Sequence, residues 1–345
     1  MKMSSIQGMI ILFMMGVFFF LASCQPDSSA SPESNGLPVT TTTSLPAAGA
    51  STPTRINPAD RHRAIPADVV KMTPGTDLFP PVLHSDEYQL PEPVPYPVST
   101  AGAEDSPFVL PTGDALYFFF TPDVRVPVEK QLLDGVTGIY LTRRVAGAWS
   151  EPEKVVLSDD ISLDGCEFVQ GDVMWFCSAR AGFNGINWFT AELLDGEWRN
   201  WKFAGDLFPA SFEVGELHIT SDGKEVYYHS SRSGGKGGYD IWVTREVGGK
   251  WQEPQNIEAV NTAETEGWPY ISPDGGELWF NRTYLGSPAV FRAKKVDGEW
   301  TAPGLIISQF AGEPTLDKDG NLYFVHHYYR DSVMLEADIY LARKK

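Results

Sequence analysis

One short element recurs five times along the chain and constrains its fold more than any other feature. An apolar residue is followed by two aromatic residues, and about 50 residues separate successive copies, a spacing typical of repeat architectures. The copies are Leu116-Tyr117-Phe118, Met174-Trp175-Phe176, Val226-Tyr227-Tyr228, Leu278-Trp279-Phe280 and Leu322-Tyr323-Phe324. A second strand-like element follows each copy. A Gly-x-Trp element closes the first four copies, with Trp149, Trp198, Trp251 and Trp300.

Turn-forming residues divide each repeat into short strands. Asp-Gly pairs occur between β-patterned runs at Asp222, Asp274 and Asp319, and such pairs are a strong hairpin signal. Each repeat therefore predicts four short antiparallel strands. Five such units closing radially form a five-bladed β-propeller, an all-β fold that hides the edges of its sheets. No segment after Pro66 keeps a helical apolar period over three turns, which argues against an α/β fold.

The fifth repeat lacks its last strand in the sequence. The chain ends soon after Ile339-Tyr340-Leu341, which leaves no room for a Gly-x-Trp strand. The segment 77–83 precedes the first repeat and resembles the fourth strand of that repeat, 151–157. We therefore expect Phe79 to Leu83 to supply the missing strand of blade 5 and to close the ring.

The first residues have the form of an export signal and are set aside from the fold. Lys2 supplies a positive charge, and Met9 to Ala22 form an apolar run. That run is shorter than the about 20 residues that a transmembrane helix needs. It ends in Leu21-Ala22-Ser23-Cys24, which resembles the signal of a bacterial lipoprotein and implies cleavage before Cys24 and lipidation of Cys24. The alternative is an ordinary signal peptide with a chance cysteine.

A stalk is predicted between the signal and the repeats. The segment is rich in Ser, Thr and Pro, and no Phe, Trp or Tyr occurs between Leu21 and Leu78. Such a composition buries too little apolar surface to become ordered. We assign residues 1–23 to the signal peptide, 24–65 to a lipid-anchored disordered stalk and 66–345 to the propeller. The protein is then exported and held at a bacterial membrane by lipid alone, facing the periplasm or the cell exterior.

Blades 3 and 4 carry the fullest form of the repeat, in Ser272 to Phe280, Gly238 to Val243 and Trp251 to Pro254. These segments resemble the TolB-type WD-like propeller repeat, and the resemblance extends over most of the chain after residue 100. Blades 1 and 2 depart from it at their hairpins. The resemblance implies a binding or scaffold module of the cell envelope, with a protein or polysaccharide partner, and no particular activity.

The acidic balance excludes one class of partner. The chain has 27 Lys and Arg against 45 Asp and Glu, for a formal charge of −18. Nucleic-acid binding depends on cationic side chains that neutralise phosphates, and anionic lipid surfaces also attract basic segments. We therefore expect no nucleic-acid partner, membrane contact through the lipid anchor only, and a monomer.

An acidic residue lies at or just before the innermost strand of every predicted blade. These strands line the central channel of a propeller, so we predict a binding site at the channel mouth. Like charges so close together need a cation such as calcium, a basic ligand or raised pKa values to offset their repulsion. The alternative is that these acids only cap strands by accepting backbone hydrogen bonds. The candidate residues are Glu104, Asp105, Glu167, Glu216, His218, Glu266, Trp268, Tyr270 and Glu313.

A basic residue follows the second strand in three repeats, as Arg180, Arg232 and Arg282. Asp240 and Asp338 begin the next strand in blades 3 and 5, where a guanidinium could pair with a carboxylate across the sheet. We favour a structural ion pair. The alternative is an arginine that binds an anion or a sugar carboxylate at the mouth.

Sequence motifs of the common hydrolases, metalloproteases and nucleotide-binding enzymes do not occur. One enzymatic alternative is a resemblance to five-bladed arabinanases and xylosidases, which place a catalytic Asp, Asp and Glu on the inner strands of their first three blades. Asp105, Asp164 and Glu216 occupy those blades in that order. The resemblance implies a base, an acid and a third, pKa-tuning carboxylate. We favour non-catalytic binding, with no cofactor apart from a channel cation and no dedicated metal site.

Cys166 and Cys177 remain as a pair once Cys24 is lipidated. If Val169 faces Met174 across the predicted hairpin of blade 2, the same register places Cys166 directly opposite Cys177, within disulfide distance. The two are either a disulfide, which an exported protein permits, or reduced thiols packed as small apolar side chains.

Overall fold

The computed structural model describes residues 59–157 and 161–345. The described chain begins with a short helix, α1 (Ala59–Ala64), and two short strands, β1 (Val82–Leu83) and β2 (Glu92–Pro93). The remaining strands are grouped in five antiparallel sheets, which we call blades 1 to 5 in chain order.

Blade 1 consists of β3 (Ala103–Val109), β4 (Ala115–Thr121), β5 (Gly138–Val145), β6 (Ala148–Trp149) and β7 (Glu153–Lys154), with helix α2 (Val128–Gln131) between β4 and β5. Blade 2 consists of β8 (Ser162–Gln170), β9 (Val173–Arg180), β10 (Asn187–Leu194) and β11 (Glu197–Phe203), followed by 3-10 turns at Gly205–Leu207 and Ala210–Phe212. Blade 3 consists of β12 (Leu217–Ile219), β13 (Glu225–Ser230), β14 (Asp240–Val247), β15 (Lys250–Trp251) and β16 (Gln255–Asn256). Blade 4 consists of β17 (Glu266–Ile271), β18 (Glu277–Tyr284), β19 (Ser287–Val296), β20 (Glu299–Trp300) and β21 (Gly304–Ser308). Blade 5 consists of β22 (Ala311–Leu316), β23 (Leu322–Arg330) and β24 (Val333–Ala342).

The blades form a closed ring. In each blade the first three strands are hydrogen-bonded in sequence order. The first strands of neighbouring blades lie against each other, with β17 beside β22, β22 beside β3 and β3 beside β8. The predicted five-bladed β-propeller of antiparallel blades is confirmed, with the first strand of each blade innermost.

The repeated apolar–aromatic–aromatic element supplies the contacts that hold the ring together. In β18 the side chains of Leu278, Trp279 and Phe280 are fully buried. Successive side chains of a strand point to opposite faces of the sheet, so one element packs its blade against both neighbours. The turn before it needs a glycine, because Gly275 has a φ of +70°, which glycine adopts without strain.

Two N-terminal strands complete the outer edges of the last two blades. β2 pairs with β24, with Glu92 opposite Leu341, so an N-terminal strand closes blade 5 as expected. The predicted identity of that strand is wrong. Val82 lies opposite Ser308, so β1 extends blade 4 instead. The reason is that β21 is a full strand with a free outer edge, and the side chain of His84 also bonds to Ser308 there (Nε2–Oγ, 2.8 Å).

The packed part of the chain begins before residue 66. Arg61 of α1 is buried, and its guanidinium donates to the carbonyl oxygens of Val98 and Pro97. Helix α1, assigned to the stalk from composition, therefore packs on the propeller through one side chain that composition does not reveal. The predicted signal peptide, the candidate lipidation site Cys24 and most of the predicted stalk lie outside the described residues. Among the described residues, no helix is long and apolar enough to cross a membrane.

Candidate functional site

A repeated break in the inner strands creates the candidate site. In β3, β8, β17 and β22 the pairing with the second strand shifts by one residue, which is a β-bulge. One residue in each bulge has a positive φ: Ser106, Cys166, Trp268 and Glu313. A bulge changes the direction in which side chains point. Bulges and strained backbone conformations are both common at functional sites.

Two cavities, of about 30 and about 70 Å³, share a wall along the axis of the ring. We call them the upper and the lower cavity. One residue from each blade lines both cavities, and in blade 3 this residue directly precedes β12. These five residues, which we call the waist, are Ser106, Cys166, Glu216, Trp268 and Glu313.

Polar groups line the upper cavity. Asp105 receives a hydrogen bond from the Ser106 N–H (2.8 Å) and lies 3.2 Å from the His327 ring, between Oδ2 and Nε2. The Asn281 side chain accepts from the Glu313 N–H through its Oδ1 (2.7 Å). The contact of Asp105 with His327 joins blades 1 and 5, and the bond between Asn281 and Glu313 joins blades 4 and 5. Contacts between blades therefore fix the wall of the upper cavity.

An aromatic collar lines the lower cavity, formed by Phe108, Phe168, His218 and Tyr270. The His218 ring centroid is 4.8 Å from that of Tyr270, 4.9 Å from that of Phe168 and 6.0 Å from that of Phe108. Burial among these rings lowers the pKa of His218 to about 3, so the imidazole is neutral at physiological pH. Tyr270 and Trp268 are buried in the wall, and their rings do not form an exposed platform for a sugar.

Four carboxyl groups, which we call the channel acids, face this channel: Asp105, Glu167, Glu216 and Glu313. Burial, together with repulsion from Asp105, raises the pKa of Glu216 to about 8. Burial and repulsion from the other channel acids raise the pKa values of Glu167 and Glu313 well above their usual range. No lysine or arginine of the described chain lines either cavity. The raised pKa values of Glu167, Glu216 and Glu313 favour their protonated forms, which reduces the repulsion in the channel.

Glu167 has the least compensated position among the channel acids. Its side chain is 5% exposed, and neither carboxylate oxygen has a hydrogen-bond partner among residues 59–157 and 161–345. A buried carboxyl without partners is costly, so this residue points to a group that the described protein atoms do not supply.

Three other predicted acids lie two positions before the waist and face away from the channel. Glu104, Asp164 and Glu266, which we call the paired acids, are buried in contacts within the protein. The Thr262 N–H and hydroxyl donate to the two carboxylate oxygens of Glu266 (3.0 and 2.5 Å), and Thr100 donates to Glu104 in the same way (2.9 and 2.5 Å). For Glu104 and Glu266, the strand-capping alternative therefore describes the geometry better than a ligand site.

Two of the predicted arginines pair with these acids. Arg282 Nε donates to Glu266 Oε1 (2.7 Å), and Arg180 Nη2 donates to Asp164 Oδ1 (2.7 Å), where Ser178 also donates (2.5 Å). Both arginines therefore pair with the first strand of their blade.

The aspartates suggested as arginine partners have other contacts. Asp240 accepts the backbone N–H groups of Lys236 and Gly237 (2.8 and 3.2 Å), and Asp338 binds the Lys71 ammonium. The suggested pairing with Asp240 and Asp338 is therefore wrong, because backbone donors and a cation from the N-terminal segment occupy these carboxylates.

The N-terminal segment supplies cations to blades 1 and 5. Arg61 Nη1 lies 3.7 Å from Glu104 Oε1, and its guanidinium lies over the Phe120 ring at 5.1 Å. Burial raises the pKa of Glu104 to about 8, and Arg61 opposes that shift. In blade 5, Lys71 binds Glu336 and Asp338 together. Both cations lie outside the repeats, so the repeat pattern does not indicate them.

Cys166 and Cys177 form a disulfide, with 5.4 Å between their Cα atoms. Val169 faces Met174 as predicted, but the bulge shifts the register so that Gly165, not Cys166, lies opposite Cys177. The predicted direct opposition is therefore wrong. The disulfide instead connects the waist to the second strand of blade 2.

The structure thus divides the predicted site residues into two groups. Asp105, Glu167, Glu216, His218, Trp268, Tyr270 and Glu313 line the channel, whereas Glu104, Asp164 and Glu266 do not. His327 and Asn281 also line the upper cavity and were not among the predicted site residues. Their signal in the sequence is weak, because they lie three residues and one residue after the apolar–aromatic–aromatic element. Among the described residues, no three His, Cys, Asp or Glu side chains are placed to hold a metal ion together.

Comparisons with known proteins add no family. No protein-family model matches the chain, and no curated protein matches it. Solved structures similar to it include a protein described as a TolB from Agrobacterium tumefaciens, with 18% identity over 68% of this chain and 73% of that chain and a TM-score of 0.40. Another is TolB from Acinetobacter baumannii, with 13% identity, coverages of 69% and 67% and a TM-score of 0.35. A third is the endo-arabinase from Bacteroides thetaiotaomicron, with 13% identity, coverages of 70% and 94% and a TM-score of 0.44. Likenesses this low carry no conclusion about what the chain binds or does.

Proposed function

We propose that the protein is a non-catalytic binding module of the cell envelope whose channel takes up a small cationic group from a partner. One observation carries this proposal: the channel acids face each other without a lysine or arginine of the described chain, and Glu167 lacks any hydrogen-bond partner there. A buried cluster of carboxyls is stabilised by a positive charge placed among them.

The size of the channel supports a slender ligand. A cavity needs about 10–15 Å³ to hold one water molecule, so volumes of about 30 and 70 Å³ accommodate a few waters or the end of one side chain. An ammonium group fits the chemistry, because carboxylates bind its charge and the collar of Phe108, Phe168 and Tyr270 offers ring faces for a cation. A lysine of an envelope protein or an amino sugar of a polysaccharide carries such a group.

Cation uptake is expected to release protons. Glu216, with a pKa of about 8, is largely protonated in the free protein near neutral pH. A cation binds its ionised form, so the affinity should rise as the pH rises through about 8. This pH dependence distinguishes a channel site from a surface patch of ordinary carboxylates, which are ionised throughout that range.

The hydrolytic alternative has weaker support. Asp105 and Glu216 line one cavity, but Asp164 is bonded to Arg180 and Ser178 and does not line it. The cavity is also too small for a sugar ring between two carboxylates. Release of nitrophenol from aryl arabinofuranosides or xylosides, abolished in Asp105→Asn, would overturn the proposal in favour of hydrolysis.

Calorimetric titration with the methylamide of N-acetyl-lysine tests the channel, at about pH 6 and about pH 8.5, where the amine stays protonated. The Nε-acetylated compound is the neutral control. We expect binding that is tighter at the higher pH, lost in Glu167→Gln and unchanged in the exposed control Glu299→Gln. Potassium and calcium chlorides are titrated in parallel. Binding of calcium alone would reject an ammonium ligand, and no binding of any cation would reject the channel site.

The lipid anchor is a separate part of the proposal. The sequence around Cys24 supports it, and the Cys166–Cys177 disulfide supports an oxidising compartment. Replacing Cys24 by Ser should move the protein from the membrane fraction to the soluble fraction of cells. Retention of Cys24→Ser in membranes would contradict lipidation while leaving the channel proposal intact.

A further inference from the structure

Blade 3 contains an arginine that lacks the carboxylate of its counterpart in blade 2. Arg180 lies over the ring of Phe189 at 4.6 Å, and Arg232 lies over the ring of Trp242 at 4.9 Å. The two aromatic residues hold the same place, because Phe189 pairs with Phe176 and Trp242 pairs with Tyr228 in the repeated element. Arg180 and Arg232 are therefore equivalent residues of the repeat.

The partner of Arg180 is replaced in blade 3. Asp164 lies five residues before Val169, which pairs with the first residue of the repeated element, Met174. In blade 3, Ile219 pairs with Val226, which is the first residue of the repeated element there. The residue five positions before Ile219 is Val214. A valine therefore stands where blade 2 has the carboxylate that binds the guanidinium.

Two buried donors are left without acceptors at this place. Arg232 Nη1 and Trp242 Nε1 are both buried, and neither has a hydrogen-bond partner in the described part of the chain. Trp242 is 5% exposed and the Arg232 side chain 16% exposed. Unsatisfied buried donors are rare in native proteins, and two such donors in contact indicate an acceptor from outside the described residues.

The nearest carboxylate is a poor substitute for Asp164. Glu253 Oε2 lies 3.8 Å from Arg232 Nη2, and the Glu253 side chain is 83% exposed. An exposed pair at this distance contributes little, so Glu253 can leave the guanidinium without large loss.

The loop that follows Arg232 is fixed by contacts within the described chain. Asp240 accepts two N–H groups of this loop, from Lys236 and Gly237. Gly237 packs so closely on the backbone of Glu264 in the next blade that no side chain fits there. These contacts fix the backbone beside Arg232.

We propose that Arg232 and Trp242 bind the carboxylate group of a ligand, in the place that the Asp164 carboxylate holds in blade 2. The planar guanidinium offers two N–H groups to two carboxylate oxygens, and the indole N–H offers a third donor. Uronic acids and acidic amino acids both carry this group. The site is independent of the channel.

Binding of sodium glucuronate and of N-acetylglutamate to the purified protein tests the site by calorimetry. Glucose and the diamide N-acetylglutaminamide, which has no carboxylate, are the neutral counterparts. The decisive variant is Val214→Asp, which restores the internal carboxylate of the repeat, and the matched control is Val214→Asn, which has the same shape without the charge. We expect Val214→Asp to weaken carboxylate binding at least about tenfold, since charge-assisted hydrogen bonds are the strong ones, and Val214→Asn to leave it nearly unchanged.

Two further variants keep the test decisive if Val214→Asp fails to fold. Arg232→Gln should abolish binding, and Glu253→Gln should strengthen it, because the competing carboxylate is removed. Preference for glucuronate or for N-acetylglutamate identifies the source of the carboxylate. Equal binding by the wild-type protein and by Arg232→Gln, or no advantage of either acid over its neutral counterpart, would overturn the proposal.

Discussion

Two sets of acidic residues share the inner strands of this propeller, and their surroundings are opposite. Glu266, one of the paired acids, accepts two hydrogen bonds from Thr262 and one from Arg282. Glu167, one of the channel acids, accepts none from the described residues. The two sets differ by only one to three positions along the strand, yet the paired acids bond to neighbouring side chains whereas the channel acids line a channel without a lysine or arginine of the described chain.

The comparison shows that a ring of acids at one end of a propeller does not by itself indicate a site. The bulges decide which acids face the axis, because they turn one residue of the strand out of its alternating pattern. A paired acid should matter for stability, whereas a channel acid should matter for the response to pH and to cations. The following predictions test that division, starting with the largest effect.

Removing the N-terminal cations should have the largest effect. Deleting residues 59–75 leaves Glu104, Glu336 and Asp338 buried without Arg61 and Lys71. Because uncompensated buried charges are strongly destabilising, we expect loss of a cooperative thermal transition. Deleting residues 25–58 is the control and should leave the melting temperature nearly unchanged. Equal melting temperatures for the two deletions would show that blades 1 and 5 do not need these cations.

Breaking a pair inside one blade should cost less than that deletion. Arg282→Met leaves Glu266, which is fully buried, without its cation, and we expect a loss of about 3–5 kcal/mol in the free energy of unfolding. The exposed pair of Arg199 and Glu197 is the matched control, and Arg199→Met should cost less than about 1 kcal/mol. Urea unfolding measures both. Similar losses for the two variants would remove the distinction between paired and ordinary surface acids.

The disulfide should have an intermediate effect. It closes a short loop between residues separated by 11 positions, so replacing Cys166 and Cys177 by Ala should cost up to about 3 kcal/mol. The pH dependence of stability should remain, because the channel acids are untouched. A loss of that pH dependence in the double variant would indicate that the disulfide, rather than the inner strands, positions the channel acids.

The channel acids should give the smallest change, and one that depends on pH. The pKa of Glu216 is raised to about 8 in the folded protein, so its stabilising contribution is full below its unfolded pKa and is lost as the pH rises through about 8. Glu216→Gln should therefore leave the melting temperature unchanged near pH 5 and raise it by roughly 2–4 °C above pH 8. The exposed control Glu299→Gln should change it at neither pH. A decrease at high pH would mean that an ionised Glu216 is already compensated.

Much of the fold could be predicted from the sequence, because each blade is built from local signals. The apolar–aromatic–aromatic element marks the second strands, and the Asp-Gly turns fix the hairpins, so even the pairing of Val169 with Met174 follows. The same register predicts that Cys166 lies opposite Cys177, whereas the bulge brings Gly165 to that position. The bulge adds one residue to the strand, and no change in the hydrophobic pattern indicates that residue. A proline directly follows the waist residue in three blades, as Pro107, Pro269 and Pro314, but its meaning is clear only once the structure is known.

The candidate site could be predicted only in part. The inner-strand acids stand out in sequence, but whether Glu104 faces a threonine or the channel depends on the bulge at Ser106, two residues further along. The closing strands could not be identified, because β1 and β2 have two residues each and carry no periodicity. Arg61 and Lys71 were missed for a related reason: their partners are distant in sequence, and no local pattern links them.

The pairing of β1 and β2 with the last blades has a consequence for how the chain reaches its native state. Glu92 meets Leu341 across a separation of about 250 residues, and contacts of such high sequence separation slow folding. Synthesis yields β1 and β2 long before their partners, so β1 has no edge to join until blade 4 emerges, and β2 has none until β24 emerges. Ring closure is therefore a late event, and a chain halted before residue 333 would leave the edges of β2 and β23 unpaired, which promotes aggregation.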